Sequence, residues 1–250
     1  MTPGTVATAL EVVSRQFAPI LEPSSLRGLE QAKAEVAASF EIFMREKRRG
    51  RRPAWGFAIR PSESLEFTRS RVHGVELSAD IACEFRWEDA EGIPAVQKLL
   101  MRVWGYDDAV VYREDLDAPG VLERLTSTDA RRVMLRYHFD RANEGQTGPS
   151  YHLQAGGNSD PAELCWLHEA VAVPRLATPP IDLVLACEVV AANFHAVKFD
   201  EISRDPTVIG AIRNSEQAIL RTYYDDCSAA LGRDGGLLRA LWNIKKSWAT

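Results

Sequence analysis

Two runs that alternate polar and apolar residues constrain this chain most. They lie within Met134 to Asn158, MLRYHFDRANEGQTGPSYHLQAGGN, and flank a centre of turn formers, Asn143, Gly145, Gly148 and Pro149. Period-two alternation around such a centre predicts two antiparallel strands and a long hairpin loop. A symmetric register centred on Gly145 sets His138 opposite His152, Arg136 opposite Gln154 and Asp140 opposite Ser150. The other face then carries Leu135, Tyr137 and Phe139 against Tyr151, Leu153 and Ala155. A slip of one residue would oppose polar to apolar side chains, so core burial favours this register over its neighbours. It brings two imidazoles within cross-strand reach.

The same alternation recurs upstream. From Arg71 to Glu88, Val75, Leu77, Ala79, Ile81, Cys83, Phe85 and Trp87 share one face, opposite Glu76, Ser78, Asp80, Glu84, Arg86 and Glu88. This predicts one long half-buried strand, or two with a bend. Leu99, Met101 and Val103 mark a second strand, and Val110 to Tyr112 a third. Asp115 to Leu125 reads as a short helix. Leu164 to Val173, containing His168, reads as another strand.

Helical spacing holds the two ends. Val6, Leu10, Val13 and Phe17 form a short amphipathic stripe. Pro19 and Pro23 bracket a connector, Ser24 or Ser25 can cap the next helix, and Leu26, Leu29, Val36, Phe40 and Phe43 form its stripe, interrupted by Lys33. The pair reads as a helical hairpin packed on the sheet. It ends in Arg45-Glu-Lys-Arg-Arg-Gly-Arg-Arg52, with six cations and one acid. A basic last turn and Gly50 suit a solvated helix end. Arg48, Arg49, Arg51 and Arg52 could instead contact phosphates bidentately.

Thr178-Pro179-Pro180, with Thr178 as the N-cap, opens a helix expected over Ile181 to Phe194, apolar almost all round and therefore buried. Glu188 within it should lie at the sheet edge or pair with a cation such as Arg136. Ile209, Ile212, Ile219 and Leu220, then Leu237, Leu238, Leu241 and Trp242, suggest two closing helices. The expected architecture is α+β: a mostly antiparallel sheet, helices from both ends on one face, residues 1–52 as a helical hairpin with a basic arm, and residues 53–250 as the core.

Composition removes several classes. Net charge of −5 excludes a general polyanion binder, although local patches remain open. The four cysteines are dispersed, without Cys-x-x-Cys, which argues against a zinc ribbon or disulfide scaffold and fits a reducing, cytoplasmic setting. No apolar run is long enough to span a membrane, and Glu11 and Arg15 interrupt the N-terminal apolar pattern, unlike a signal peptide. There is no Gly-x-Gly-x-x-Gly, no P-loop and no Gly-x-Ser-x-Gly.

Tyr137-His138-Phe139-Asp140, Pro149 to Gly157 and Pro179 to Glu188 together resemble a bacterial domain-of-unknown-function family. The hairpin is also similar to that of small histidine-hairpin RNase toxins, which carry a denser Pro-His-His-x-His run where this chain has only His152. The resemblance implies a component of a toxin–antitoxin or phage-defence locus, with RNA or DNA and a protein encoded nearby as partners. A homodimer is a further expectation.

The residues themselves support two readings. In the first, His138 and His152 divide general acid and base work near neutral pH, Arg136 stabilises phosphorane charge, Asp140 orients an imidazole and Gln154 completes the polar face. No cofactor is required. A divalent metal held by His138, His152 and a carboxylate, Asp140 or Asp80, is the variant of this reading. In the second, the polar face is ordinary solvated sheet, and the helices and basic arm bind a protein or nucleic acid.

Overall fold

A computed structural model describes residues 1–106, 131–141, 149–156 and 175–231. The expected elements at Val110–Tyr112, Asp115–Leu125, Leu164–Val173 and Leu237–Trp242 lie outside them.

The chain is α+β. One antiparallel sheet runs in the order β1 (Trp55–Ile59), β4 (Val75–Trp87), β5 (Val96–Gly105), β6 (Arg132–Arg141), β7 (Tyr151–Ala155), β8 (Leu176–Ala177). Two short strands, β2 (Leu65–Glu66) and β3 (Ser70–Val72), continue the β1 edge along β4. The long alternating run is thus two strands, not one. Val72 pairs with Val75 across His73 and Gly74, whose φ of 49° and 87° make a two-residue turn of the type whose twist matches antiparallel strands.

The expected apolar face of β4 is the core face. Ala79, Ile81, Cys83, Phe85 and Trp87 are buried, beside Leu99 and Met101 of β5. Trp55 and Trp87 oppose each other in register and stack at 4.5 Å. Sequence pattern missed β1, because four of its five residues are buried and no alternation survives. Gly56 is required there: a Cβ would lie 2.0 Å from the Phe85 carbonyl oxygen.

Helices cover this face. They are α1 (Pro3–Gln16), α2 (Pro23–Arg48), α3 (Leu183–Phe194), α4 (Ala196–Ile202), α5 (Pro206–Ser215) and α6 (Arg221–Ala230), the last two joined by a π-turn at Glu216–Leu220. Val6, Leu10, Val13, Leu29, Val36, Phe43, Leu183, Ala186, Val190, Val208 and the sheet residues form one continuous core. The helical hairpin therefore shares its core with the strands. Lys33, the break in the α2 stripe, forms an ion pair with Glu11 of α1.

Three local expectations change. Ser25 does not cap α2; its hydroxyl donates to the Glu66 carbonyl at 3.0 Å and accepts the Glu66 N–H at 2.7 Å, tying α2 to β2. Asp182, not Thr178, caps α3 by accepting the Leu185 N–H at 3.0 Å. Glu188 does not meet Arg136. It sits half-buried on the outer side of α3, where burial and then the Glu216 carboxylate raise its pKa.

Candidate functional site on the polar sheet face

The face away from the helices is built by register. One row runs Asp80, Arg102, Arg136 across β4, β5 and β6. The next runs Ala82, Leu100, His138, Gln154, and the third Glu84, Lys98, Asp140, His152, Ala177. This corrects the symmetric register. The hairpin pairing is displaced by two residues, so His138 faces Gln154, and His152 faces Asp140 rather than His138. A two-residue shift keeps every side chain on its face, because the strand repeat is two. The two histidines are diagonal neighbours, and the five expected site residues, Arg136, His138, Asp140, His152 and Gln154, still share one surface.

Their electrostatics are specific. The Arg136 Nε–H donates to Nε2 of His138 at 3.1 Å. That bond requires His138 to be unprotonated at Nε2. Burial, then the Arg136 charge and His152, push its pKa down to about 4. His152 is 3% exposed, and its Nδ1 has no hydrogen-bond partner among the described residues. Burial, followed by the Arg175 charge, lowers its pKa. Asp140 moves the other way: burial raises its pKa, against the Leu99 backbone N–H and the charges of Lys98 and Arg175. The site therefore holds neutral imidazoles, with a carboxyl of raised pKa directly across from one of them.

Arg175 belongs to this group although sequence patterning did not find it. It precedes β8, and only the pairing of that two-residue strand with β7 brings its charge to Asp140 and His152. No spacing in the sequence signals it.

Asp80 is unsuited to a metal role. Arg102 grips both its oxygens, at 2.8 and 2.7 Å, and Ser64 Oγ donates at 3.0 Å. Among the described residues no three His, Cys, Asp or Glu side chains converge as a cation site.

The basic arm is partly self-neutralised. Glu46 takes Arg49 at 2.8 Å and Arg51 at 2.6 Å, and Gly50 ends α2 at φ 72°. Arg48 and Arg52 are exposed without an ion pair among the described residues. No described helix is long and apolar enough to cross a membrane. No family model, curated protein or solved structure matches the chain.

Proposed function

We propose that this chain processes RNA at the polar hairpin face, in an RNase-like reaction that uses the substrate's own 2′-hydroxyl. The observation that carries the reading is the direct pairing of His152 with Asp140, with the imidazole pKa lowered and the carboxyl pKa raised. Opposed shifts bring the two groups' proton affinities closer together, as acid–base partners need. His152, neutral, takes the proton of the 2′-hydroxyl. That oxygen attacks the adjacent phosphorus, and the leaving 5′ oxygen takes a proton from the protonated fraction of Asp140. Arg136 and Arg175 offset the charge that develops on the phosphoryl oxygens. His138, held by Arg136, and Gln154 position the strand. Arg48 and Arg52 supply phosphate contacts away from the reacting atoms. A role within a defence or toxin–antitoxin locus rests on the family resemblance alone.

A second reading has its own support. His152 is almost wholly buried and His138 Nε2 is occupied by Arg136. Both facts favour a non-catalytic binding subunit whose polar face is scaffold.

The deciding assay compares wild type with His138→Ala/His152→Ala, matched for folding by circular dichroism, on single-stranded RNA and DNA with and without EDTA. Cleavage of RNA by wild type alone supports the enzyme, and EDTA sensitivity would assign the chemistry to a metal. Absence of cleavage by either protein leaves the binding reading.

A further inference from the structure

We infer that Arg136 and His138 form a latch worked by the substrate's phosphate: an anion that takes the Nε–H edge of Arg136 uncovers Nε2 of His138, which then accepts a hydrogen bond from the same nucleotide. The latch rests on the hairpin face as the phosphate-contacting site proposed above, and gives that site its regulation.

Arg136 and His138 lie two residues apart on β6, so their side chains leave the same face of the sheet. Both are half-buried. Arg136 gives its Nε–H to the imidazole at 3.1 Å. The carboxylate of its own row is already taken: Arg102 holds both oxygens of Asp80, at 2.8 and 2.7 Å, and donates to the Pro61 carbonyl at 3.2 Å. Register also sets Arg102 directly opposite Arg136. Like charges opposed across a strand pair are unfavourable, and an anion beside Arg136 offsets that repulsion. An arginine charge further lies among the causes that hold each imidazole neutral, Arg136 at His138 and Arg175 at His152. The two histidines thus stand beside fixed positive charge, where a phosphodiester is drawn in.

The covered state is the weaker of the two arrangements. In it a guanidinium bonds a neutral acceptor through one N–H. With a phosphodiester it meets an anion and can bond it through two parallel N–H groups. One such fork is the edge formed by Nε and the adjacent Nη, and its use requires Nε–H to leave His138. The Nε2 lone pair then becomes a free acceptor, beside Gln154 on the neighbouring strand. A hydroxyl or amino group of the bound nucleotide donates to it. A solute without an anion leaves the acceptor covered, so the phosphate is recognised before the rest of the nucleotide.

The test is a titration of the isotopically labelled full chain at pH 7, followed by nuclear magnetic resonance. The probes are inorganic phosphate and a 2′-deoxy oligonucleotide, which carries the phosphodiester but not the attacking hydroxyl. The His138 Nε2 and Arg136 Nε–H signals are assigned with His138→Gln and Arg136→Met. Both signals should move along one saturable curve as their hydrogen bond is lost. Arg136→Met should show an uncovered imidazole from the outset, unmoved by phosphate, and should bind either probe about tenfold more weakly or worse. Binding that leaves the Arg136–His138 bond intact, through the Nη groups alone, overturns the latch, and so does absence of binding by both probes. The wild-type titration decides the matter even if Arg136→Met fails to fold. The enzyme reading fails separately: RNA left uncleaved while phosphate still opens the pair sinks the RNase and upholds the latch, whereas cleavage with the pair unopened does the reverse.

Discussion

His138 shows how much a single side chain can report. Its folded pKa, about 4, lies below the ordinary 6.5. The unfolded chain therefore binds more protons between those values, and stability falls as pH drops from about 6.5 towards 4. The contribution, discounted for partial exposure, is about 1–2 kcal/mol. His152 and His195 shift in the same direction, again from burial. Asp140 and Asp182 have values raised from 3.8, so from there upward they act in the opposite sense. Urea midpoints measured from pH 7.5 to 4.5 should decline in wild type and decline less in His138→Gln. Equal slopes would mean that the imidazole is not held neutral. Gly56 offers a second residue-scale test. With Phe85 O where its Cβ would go, Gly56→Ala should cost about 2–4 kcal/mol, read from the same denaturation curves.

At the scale of elements, the sheet is held together by what its polar face buries. Asp80 and Arg102 are 1% and 8% exposed and join β4 to β5. Removing one partner leaves the other charge buried and unmatched, whereas removing both can be nearly neutral. Asp80→Asn and Arg102→Met should each cost about 3 kcal/mol or more. The double variant should cost much less than their sum, by thermal or urea denaturation. Additive losses would mean that water reaches the pair. Which residues share each face was legible from alternation alone, for β4, β5, β6 and β7 alike. The absolute hairpin register was not. Burial excludes a one-residue slip, because that would turn Tyr137 and Phe139 outward. A two-residue slip buries the same side chains, so the core is indifferent to it. For that reason His152 could be assigned to the correct face and yet to the wrong partner. Ser25 is similar: its type suits a helix cap, but the nearness of β2 gave its hydroxyl two backbone partners instead.

Across the whole molecule, helices from the N-terminal hairpin and from the C-terminal half bury their apolar sides against one sheet face. Phe17 of the connector, Phe43 of α2, Trp55 of β1 and Val190 of α3 are all fully buried in that single core. Such continuity predicts one cooperative transition. Helical signal in the far ultraviolet and the fluorescence of stacked Trp55 and Trp87 should fall at the same urea concentration. An earlier loss of helix would mean that residues 1–52 unfold by themselves. By itself the sequence determined the class of fold, the amphipathic face of each long element and the set of polar residues on the hairpin, since these follow from the periods of helix and strand and from the drive to bury apolar surface. The tertiary structure alone decided the pairing of His152 with Asp140, the arrival of Arg175 beside them, the capture of Asp80 by Arg102 and the opposition of Arg102 to Arg136. Each depends on which strands become neighbours and at what offset, and a local pattern carries no information about either.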